Sequence, residues 1–483
     1  MRDPEIDGPD QEAAEDRGEA GSLRNASGRI EPRSFRGTRD FLPAEMIRRE
    51  ELFSYLRGVF RRYGFSPLET PAMEYLEILL GKYGREGEKL IYPLHYKGGN
   101  VLALRYDLTV PLARVVASHP ELPRPFKRYQ MQPVWRADRP QPHQGHYREF
   151  YQCDVDIVGE SGALADVEVL ALTAETLQGL GVGDFRVLVN HREILLGLVE
   201  AAGLPLAAAP AVLRAIDKVD KVGLEGIESE MAAEGIEASA RRRILDLLAL
   251  PSGGVEAIRA LAAARPDLPA IERGCASLLE IWEALAGFDL DLSRFEFRLA
   301  MARGLDYYTG AVFESVLESL PHLGSLSGGG RYDGLVGLFS EEDLPAVGTT
   351  IGIDRIFTAL QQLGQGGQRA TRTQVLVLQF AGEARTAALS LTARLRRAGL
   401  NTEIWYRAEK LKKQLGQADR RGVPLVLFQG PDEAARGEWT GKCLGTGEQR
   451  SLRADSVEEL VSLWLAELAT GATAPGGGSP GAR

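Results

Sequence analysis

The chain has 483 residues, a hydrophobic content of 44% and a formal net charge of −10. At roughly 100–200 residues per domain, this length predicts about two to four domains with large cores. The acidic charge argues against a general nucleic-acid coat, although it is compatible with a local basic face. The three cysteines are far apart, and no CxxC or His/Cys spacing is present. That pattern predicts neither a disulfide framework nor a zinc site, and it favours a reducing compartment.

Both ends of the chain have the composition of disordered segments. Residues 1–34 are acidic and poor in large apolar side chains, and residues 471–483 form a tail rich in Gly, Ala and Pro. The first segment lacks the apolar region of a signal peptide, and no run of about 18 apolar residues occurs. The sequence therefore predicts a cytoplasmic protein that does not bind or cross a membrane.

Residues 35–125 are predicted to hold a helix, an extended segment and a hairpin. The extended run 65–71 contains two prolines, which place it at a sheet edge or an interface. After the hairpin, Asp107 and Thr109 lie where a strand meets a helix. These polar groups either line a pocket at the strand end or cap the helix, and capping is the commoner role.

Residues 126–159 combine two strand-like runs with a loop rich in Arg, Pro and His. Arg136, Arg139 and Arg148 can each fork onto phosphate or carboxylate oxygens. Gln152 and Asp156 follow on the second run and could read a polar substrate. The pattern therefore indicates either an anion-binding site on a sheet or a charged hairpin in water.

The remainder of the chain divides into three parts. Residues from about 191 to 290 are rich in Ala, Leu and Glu and predict a helical insertion. Strand signals then return, and the glycine run 328–330 is either a pocket wall or a flexible turn. A strand that runs into a helix puts Arg355 in the first helical turn. After a Gly/Gln-rich linker at 364–373, alternating strands and helices predict a small α/β domain at 374–470.

Several motifs together resemble the histidyl-tRNA synthetase family of class II aminoacyl-tRNA synthetases. Residues 126–159 resemble the second class motif, the region ending at Pro71 the first, and Gly-Ile-Asp-Arg at 352–355 the third. Arg-Gly-Leu-Asp-Tyr-Tyr at 303–308 and Gly-Gly-Arg-Tyr-Asp at 329–333 resemble elements peculiar to the histidine enzymes. The likeness runs from about residue 35 to residue 468.

The resemblance implies an α+β fold and an ATP-dependent ligase. The expected parts are a class II catalytic domain at 35–363, which is built on a six- or seven-stranded antiparallel sheet and interrupted by the helical insertion, and a C-terminal α/β anticodon-binding domain at 374–470. The expected reaction activates L-histidine with ATP to histidyl-adenylate and transfers it to tRNA(His). ATP would be a substrate, Mg²⁺ would bridge its phosphates, and a homodimer would form through the Pro71 region. In the first step a carboxylate attacks a phosphate, so fixed cations rather than a general base are required.

The resemblance also implies roles for individual residues. Arg136 and Arg303 would be the catalytic arginines, gripping the α-phosphate and the histidine carboxylate from two sides. The expected ATP contacts are Arg136, Arg148 and Arg355. The expected substrate-binding residues are Asp107, Leu108, Thr109, Arg136, Gln152, Asp156, Arg303, Tyr307 and Tyr308. Asp156 and Tyr308 would hydrogen-bond the two imidazole nitrogens, as a neutral imidazole requires. Without the family context, Arg303 would pair with Asp306 and the tyrosines would be core residues.

The second motif departs from the family pattern at His146. The family commonly has an arginine at this position, where it contacts the outer phosphates. His146 would give a weaker, pH-dependent contact. Otherwise Arg139 or Arg148 takes over that contact.

The C-terminal domain carries a cluster of basic residues that fits a phosphate backbone. The cluster comprises Arg394, Arg396, Arg397, Arg407, Lys410, Lys412, Lys413, Arg420 and Arg421. The alternative for these residues is a solvated helix face. For the whole chain the alternatives are a non-catalytic regulatory subunit of ATP phosphoribosyltransferase, which senses histidine, and a sensor with an intact but idle site. Such regulatory paralogues usually lose the catalytic arginine motif and the anticodon domain, whereas this chain keeps both.

Overall fold

The computed structural model describes residues 29–30, 32–81, 89–94, 99, 101–302, 307–365, 371–380 and 382–470. Most of the predicted disordered segment 1–34, the tail 471–483, half of the 364–373 linker and the proposed catalytic Arg303 lie outside these residues. Two compact units are distinguished. The first comprises residues up to 40, 65–175 and 183–358, and the second comprises residues 41–64, 176–182 and 359 onward.

Eleven strands are described in the first unit. They are β1 (Ser66–Pro67), β2 (Met73–Tyr75), β3 (Tyr92–Leu94), β4 (Leu102–Leu104), β5 (Phe126–Trp135), β6 (Glu149–Val158), β7 (Phe185–His191), β8 (Phe295–Phe297), β9 (Ala311–Leu317), β10 (Ser327–Arg331) and β11 (Ala346–Ile351). Eight of them form one sheet in the order β1-β5-β6-β11-β10-β9-β7-β8, and the other three form a small sheet in the order β2-β4-β3. The central pairs are antiparallel, whereas β1 with β5 and β7 with β8 are parallel.

This sheet confirms the α+β class and corrects its size. The sequence predicted six or seven antiparallel strands, whereas the described residues form eight, with a parallel pair at each edge. The proline-containing run predicted at an edge is β1, the first strand of the sheet. Of the two alternatives for the glycine run 328–330, the flexible turn is wrong, since these residues form the middle of β10.

The glycines of β10 allow a close approach between strands. A Cβ atom on Gly329 would lie 2.1 Å from the carbonyl oxygen of Gly348 on the neighbouring strand. A Cβ atom on Gly330 would lie 2.8 Å from the ring of Tyr308. Backbone, rather than side chains, therefore forms this part of the sheet face.

Helices α1 to α11 are the α-helices described before residue 364. They are α1 (Pro43–Arg62), α2 (Leu76–Leu80), α3 (Thr109–Ser118), α4 (Ala163–Gly179), α5 (Arg192–Ala201), α6 (Ala209–Ile216), α7 (Val219–Ala233), α8 (Ala238–Leu248), α9 (Val255–Ala264), α10 (Pro269–Leu285) and α11 (Ile353–Gln362). Helices α5 to α10 occupy the predicted helical insertion, and no strand lies between β7 and β8, all of whose intervening residues are described. Arg355 lies in the first turn of α11, as predicted.

The second unit contains α1 and the small α/β domain. Its further elements are β12 (Val375–Val377), α12 (Glu383–Arg397), β13 (Thr402–Ile404), α13 (Leu411–Arg420), β14 (Leu425–Phe428), α14 (Pro431–Arg436), β15 (Glu438–Cys443), β16 (Gln449–Arg453) and α15 (Val457–Thr470). The sheet order is β13-β12-β14-β15-β16, with parallel pairing among the first three strands. The antiparallel hairpin β15–β16 was not predicted. Trp439 and Trp464 are buried in the core of this domain.

Two further expectations concern cysteines and membrane segments. Cys153, Cys275 and Cys443 are all described and buried, and none forms a disulfide. No single helix in the described ranges is long and apolar enough to span a bilayer. The pair Arg192–Ala201 and Leu206–Ile216, bent by 114°, meets the length and composition criteria only when both helices are taken together.

Candidate functional site

A cavity of about 770 Å³ opens on the central strands of the first unit. Its wall includes Tyr106, Asp107, Thr109, Arg136, His146, Phe150, Gln152, Asp154, Asp156, Arg214, Lys218, Tyr307, Tyr308, Gly328, Gly329, Tyr332, Thr350, Asp354 and Arg355. The ten-residue pairing of β5 with β6 determines which side chains face it. Since alternate residues of a strand share a face, Gln152, Asp154 and Asp156 point to the same side. The cavity therefore combines cationic, anionic and aromatic groups from several elements.

Arg136 lies just beyond β5, and two contacts of its guanidinium group hold it in place. Its Nε donates to the carbonyl oxygen of Tyr106 at 3.0 Å. Its guanidinium lies 5.1 Å from the ring centroid of Phe150, a stacking distance for an arginine on an aromatic face. This orientation presents the terminal amino groups to the cavity, where they can bind an anion bidentately.

Asp107 both caps a helix and lines the cavity. Its Oδ1 accepts a bond of 3.2 Å from the backbone N–H of Val110 in the first turn of α3. Burial raises the pKa of Asp107 to about 6, against the lowering effect of Arg136. The two alternatives for Asp107, a cap and a pocket residue, are thus both present in the structure. Thr109 also lines the cavity.

A buried ion pair lies beneath the cavity floor. Arg128 on β5 is completely buried, and its Nη2 lies 2.8 Å from Asp156 Oδ2 and 3.9 Å from Asp154 Oδ2. The contact with Asp156 is an ion pair without hydrogen-bond geometry. Tyr332 donates its hydroxyl to Asp156 Oδ1. One arginine therefore serves two carboxylates, which are stacked on alternate positions of β6.

The carboxyl groups of Asp154 and Asp156 are both shifted toward protonation. Burial raises the pKa of each, and the charge of Arg128 opposes the rise in both. Burial also raises the pKa of Tyr332, so this hydroxyl keeps its proton and remains a donor to Asp156. Both carboxyl groups are therefore harder to ionise than an exposed aspartate.

The two adjacent tyrosines of the predicted histidine motif lie together on the wall. The ring centroids of Tyr307 and Tyr308 are 4.2 Å apart, and those of Tyr307 and Tyr332 are 5.6 Å apart. Both Tyr307 and Tyr308 pack against the hydrophobic cluster that contains Tyr332. Their rings thus contribute to the core and to the cavity at once.

The first turn of α11 forms another part of the wall. Arg355 Nη1 donates to the carbonyl oxygen of Ser325 at 2.8 Å. Gly145, with φ of +70°, packs against this turn so closely that a Cβ atom would lie 3.0 Å from Arg355 Cα. The position thus favours glycine in both conformation and space. Through this contact, the neighbouring His146 lies on the cavity wall.

Arg39 connects α11 to the loop between β5 and β6. Its Nη2 lies 3.3 Å from Asp354 Oδ1, and its guanidinium lies 4.3 Å from the ring centroid of Tyr147. Asp354 Oδ2 accepts a bond of 3.1 Å from the backbone N–H of Tyr151. These contacts hold two walls of the cavity in register.

Within the 137–148 loop, His146 is nearer the cavity than the arginines. His146 Nε2 lies 3.1 Å from Asp138 Oδ2. Burial acts to raise the pKa of Asp138, but the bond and charge of His146 outweigh it and lower that pKa. Arg148 instead donates to the carbonyl oxygens of Asp138 and Arg36, at 3.2 Å and 3.3 Å.

The structure brings most of the predicted site residues together. Those on the cavity wall are Asp107, Thr109, Arg136, Gln152, Asp156, Tyr307, Tyr308 and Arg355. Leu108 and Arg148 are not on that wall, and the carbonyl oxygen of the buried Leu108 accepts a bond from Arg128. The structure gives no description of Arg303. The chemical roles assigned to these residues stay predictions.

Sequence reasoning missed Arg128, Asp154 and Thr350, and it included Tyr332 in the 329–333 motif without giving it a role. The signal for the first two was available in the alternation of polar residues along β5 and β6. Pairing of Arg128 with Asp156 follows from the register, which could be derived by aligning those two polar faces. Thr350 comes from a distant strand, so no local pattern identifies it.

In the C-terminal domain, part of the predicted basic cluster is engaged in ion pairs. Arg394 bonds Glu458, Lys413 bonds Glu409 at 2.6 Å, and Arg421 bonds Glu403 at 2.5 Å. The exposed members include Arg407, Lys410, Lys412 and Arg420. Tyr406, beside Arg407, is 83% exposed. The cationic surface available to a partner is therefore smaller than the sequence suggested and has an aromatic ring at its edge.

Comparisons with known proteins agree with this arrangement. The family model described as histidyl-tRNA synthetase matches residues 37–356, and the one described as anticodon binding domain matches residues 374–463. The chain is 41% identical over 458 residues to the histidine–tRNA ligase of Gloeobacter violaceus, covering 88% of this chain and 97% of that relative. It is 43% identical over 426 residues to the histidine–tRNA ligase of Aeropyrum pernix, covering 86% and 95%.

Solved structures show the same relationship. The histidyl-tRNA synthetase of Nostoc sp. PCC 7120 matches with a TM-score of 0.80 at 32% identity, covering 90% of this chain and 100% of that one. A Bacillus halodurans protein described as an ATP phosphoribosyltransferase regulatory subunit/histidyl-tRNA synthetase matches with a TM-score of 0.66 at 25% identity. That match covers 80% of this chain and 97% of the other.

Proposed function

Since this chain belongs to the histidyl-tRNA synthetase family, we propose that its cavity activates L-histidine with ATP and then transfers the histidyl group to tRNA(His). The observation that carries the proposal is one cavity that holds guanidinium groups beside acceptors for an amino acid. Arg136 and Arg355 supply the cations, and Asp107, Gln152 and Asp156 supply the acceptors.

In the first step, a carboxylate oxygen of histidine attacks the α-phosphorus of ATP and pyrophosphate leaves. Negative charge accumulates on the α-phosphate, and a cation fixed beforehand stabilises it without reorganisation. Arg136 is suited to this role because its contacts with Tyr106 and Phe150 fix its orientation. We propose that Arg303 acts on the same phosphate from a second side.

We propose that the acidic side of the cavity binds the amino acid. Asp107, Thr109 and Gln152 would hold the α-ammonium, while Asp156 and Tyr308 would bond the two imidazole nitrogens. Tyr332 and Arg128 already contact Asp156, and each carboxylate oxygen has a second lone pair for the substrate. An analogue without ring nitrogens would leave these buried groups unsatisfied and would be rejected.

The outer phosphates of ATP would meet Arg355, with Arg148 and His146 as the remaining candidates. No cluster of three or more His, Cys, Asp or Glu residues suited to a metal is present in the described ranges. A Mg²⁺ ion would therefore take its oxygen ligands mainly from the phosphates and water, as this ion commonly does. The ion would neutralise phosphate charge there.

We propose that the second step uses the C-terminal domain as the main tRNA anchor. Exposed Arg407, Lys410 and Lys412 fit a phosphate backbone. Arg214 of the helical insertion is exposed and reaches the cavity wall, where it would meet the incoming 3′ end. A homodimer through the Pro71 region is consistent with exposed Met73 and Tyr75 on β2. Action in the cytoplasm likewise stays a prediction.

The competing function is a histidine-sensing regulatory subunit, which the Bacillus halodurans match keeps in view. Two features disfavour it in this chain. The 303–308 motif is present in the sequence, and residues 374–463 match the anticodon-binding family.

Histidine-dependent exchange of pyrophosphate into ATP, followed by charging of tRNA(His), is the deciding measurement. We expect exchange with histidine and at least about a hundredfold less with Arg303→Ala. A chain that ends within the 364–373 linker should keep exchange and lose charging. An intact chain without exchange would refute the ligase, and undiminished exchange in Arg303→Ala would refute that residue's role.

A further inference from the structure

Three residues on the cavity wall are connected in a directional chain of hydrogen bonds. Thr350 on β11 donates its hydroxyl proton to Asp154 Oδ1 on β6. The amide of Gln152 donates from Nε2 to Thr350 Oγ1 at 3.1 Å. Gln152 Oε1 is buried and has no hydrogen-bond partner among the described residues. The mechanism proposed above assigns no role to Asp154 or Thr350.

The chemistry of these groups determines the direction of the chain. A threonine hydroxyl has one proton to donate, and an ionised carboxylate can only accept. Once Asp154 has accepted that proton, Thr350 offers only lone pairs to Gln152, whose NH₂ group must therefore face Thr350. The amide oxygen of Gln152 is then the atom left for a donor in the cavity.

We propose that Asp154 is a positioning residue for the amino acid substrate: acting through Thr350, it holds the amide of Gln152 with its oxygen toward the substrate's α-ammonium. The inference rests on the proposed function, because it takes the ammonium of histidine as the group that Gln152 Oε1 receives.

A donor at position 154 would reverse every bond in the chain. It would donate to Thr350, whose hydroxyl would then donate to Gln152 Oε1, and Gln152 Nε2 would turn to the cavity. An NH₂ group would face an ammonium, so two donors would oppose each other. The substitution Asp154→Asn introduces such a donor with little change in shape. Arg128 Nη2 lies 3.9 Å from Asp154 Oδ2, so the amide oxygen of the asparagine would face this cation and its NH₂ group would face Thr350.

Protonation of Asp154 has the same effect as this substitution. The charged and titratable groups that face Asp154 are Arg128 on β5, Asp156 on β6, Asp107 ahead of α3 and Tyr332 after β10. Burial raises the pKa of Asp154, and Arg128 acts against that rise. The ionised form positions Gln152 correctly, so histidine binding should strengthen as pH rises through this pKa.

The main test measures the KM for histidine and for ATP in pyrophosphate exchange. We expect Asp154→Asn to raise the histidine KM roughly ten- to hundredfold, with the ATP KM within about twofold of wild type. Adding Gln152→Glu to Asp154→Asn should restore much of the histidine affinity. A glutamate accepts from Thr350 with one oxygen and from the ammonium with the other. A merely structural defect would not be rescued in this way.

A second pair of variants tests the relay without altering charge. Thr350→Val removes the hydroxyl and should raise the histidine KM roughly three- to tenfold, whereas Thr350→Ser keeps it and should stay within about twofold. In the Thr350→Val background, Asp154→Asn should add less than about twofold. The pH dependence of the histidine KM, compared at each pH with Asp154→Asn, should be steeper in wild type.

Several results would overturn the inference. One is an unchanged histidine KM in Asp154→Asn. Another is that the effects of Asp154→Asn and Thr350→Val on this KM are additive. A third is that Thr350→Val and Thr350→Ser change it equally. If Asp154→Asn does not fold, the Thr350 pair decides. Wild-type protein without histidine-dependent exchange would instead refute the proposed function, and the two failures are thereby distinguished.

Discussion

At the scale of single residues, the charge of one buried carboxylate controls the proposed ammonium site. Asp107 is buried, and its pKa is raised to about 6 although Arg136 opposes the shift. The ionised form is the one that accepts a bond from an ammonium. Since the pKa of Asp107 is raised, the acceptor is lost as pH falls through about 6, well above the usual range of aspartate.

We therefore expect kcat/KM for histidine in pyrophosphate exchange to decline below about pH 6. Asp107→Asn should lower kcat/KM roughly ten- to hundredfold at pH 7.5, since a bond to a charged group is lost. The variant should also lose that component of the pH dependence. Because Asn keeps an oxygen that can accept from Val110, the cap of α3 should survive, and circular dichroism provides the control. A wild-type pH profile reproduced in full by the variant would contradict this role.

At the scale of secondary-structure elements, His191 joins β7 to α5 as a helix cap. Its Nδ1 accepts from the backbone N–H of Glu193 at 3.2 Å. Burial lowers its pKa to about 4; the charge of Glu193 opposes this shift to a smaller extent, and the charge of Arg331 adds to it. A histidine that stays neutral in the fold stabilises the protein fully above its unfolded pKa of about 6.5, and that contribution is lost as pH falls toward 4.

The cap should be visible in the pH dependence of stability. Between pH 7.5 and pH 5, the folded protein should lose about 2 kcal/mol of unfolding free energy through this residue. His191→Asn retains a capping oxygen without titrating in this range, so its loss should be smaller by that amount. Urea unfolding at both pH values measures the difference. Identical losses in the two proteins would mean that folding does not lower the pKa of His191.

The close contact of β10 with β11 leads to a second prediction at this scale, which concerns the stability of the fold. A Cβ atom on Gly329 would lie 2.1 Å from the carbonyl oxygen of Gly348, whereas one on Gly328 meets nothing within 4 Å. Gly329→Ala should cost about 3 kcal/mol or more, because the backbone of a central strand must move. Gly328→Ala should stay within about 1 kcal/mol of wild type. Thermal melting compares them, and equal melting temperatures would show that the sheet absorbs the methyl group.

The elements that the sequence predicted and those it missed differ in one physical respect. The β5–β6 pair and α3 were predictable because their periodicity is local. The hairpin β15–β16 was missed because its strands carry charged and glycine residues such as Gly441, whose close packing against Trp464 arises from tertiary structure. The site shows the same division. The role of Asp156 was predicted from a motif, whereas its contact with Tyr332, just after β10, is formed only by the tertiary structure of the sheet.

At the scale of the whole molecule, the proposed function assigns the two reactions different requirements. Adenylate formation needs only the cavity of the first unit. Charging also needs the tRNA to be held by cations and aromatic surface elsewhere. In the C-terminal domain, Tyr406 is 83% exposed beside exposed Arg407, Lys410 and Lys412. An exposed ring next to cations is the combination that holds an unpaired nucleotide base.

Tyr406→Ala should therefore raise the KM for tRNA(His) roughly five- to hundredfold, the range expected for one lost base–ring stack. Neutralising Lys410 or Lys412 should instead reduce the slope of log KM against log salt by about one per charge. Histidine-dependent pyrophosphate exchange should be unchanged in all three variants, because none touches the cavity. Leu389→Ala, which removes another exposed apolar side chain from this domain, is the matched control. If Leu389→Ala weakens charging as much as Tyr406→Ala, the ring makes no specific contact, and the tRNA is anchored by phosphate contacts alone.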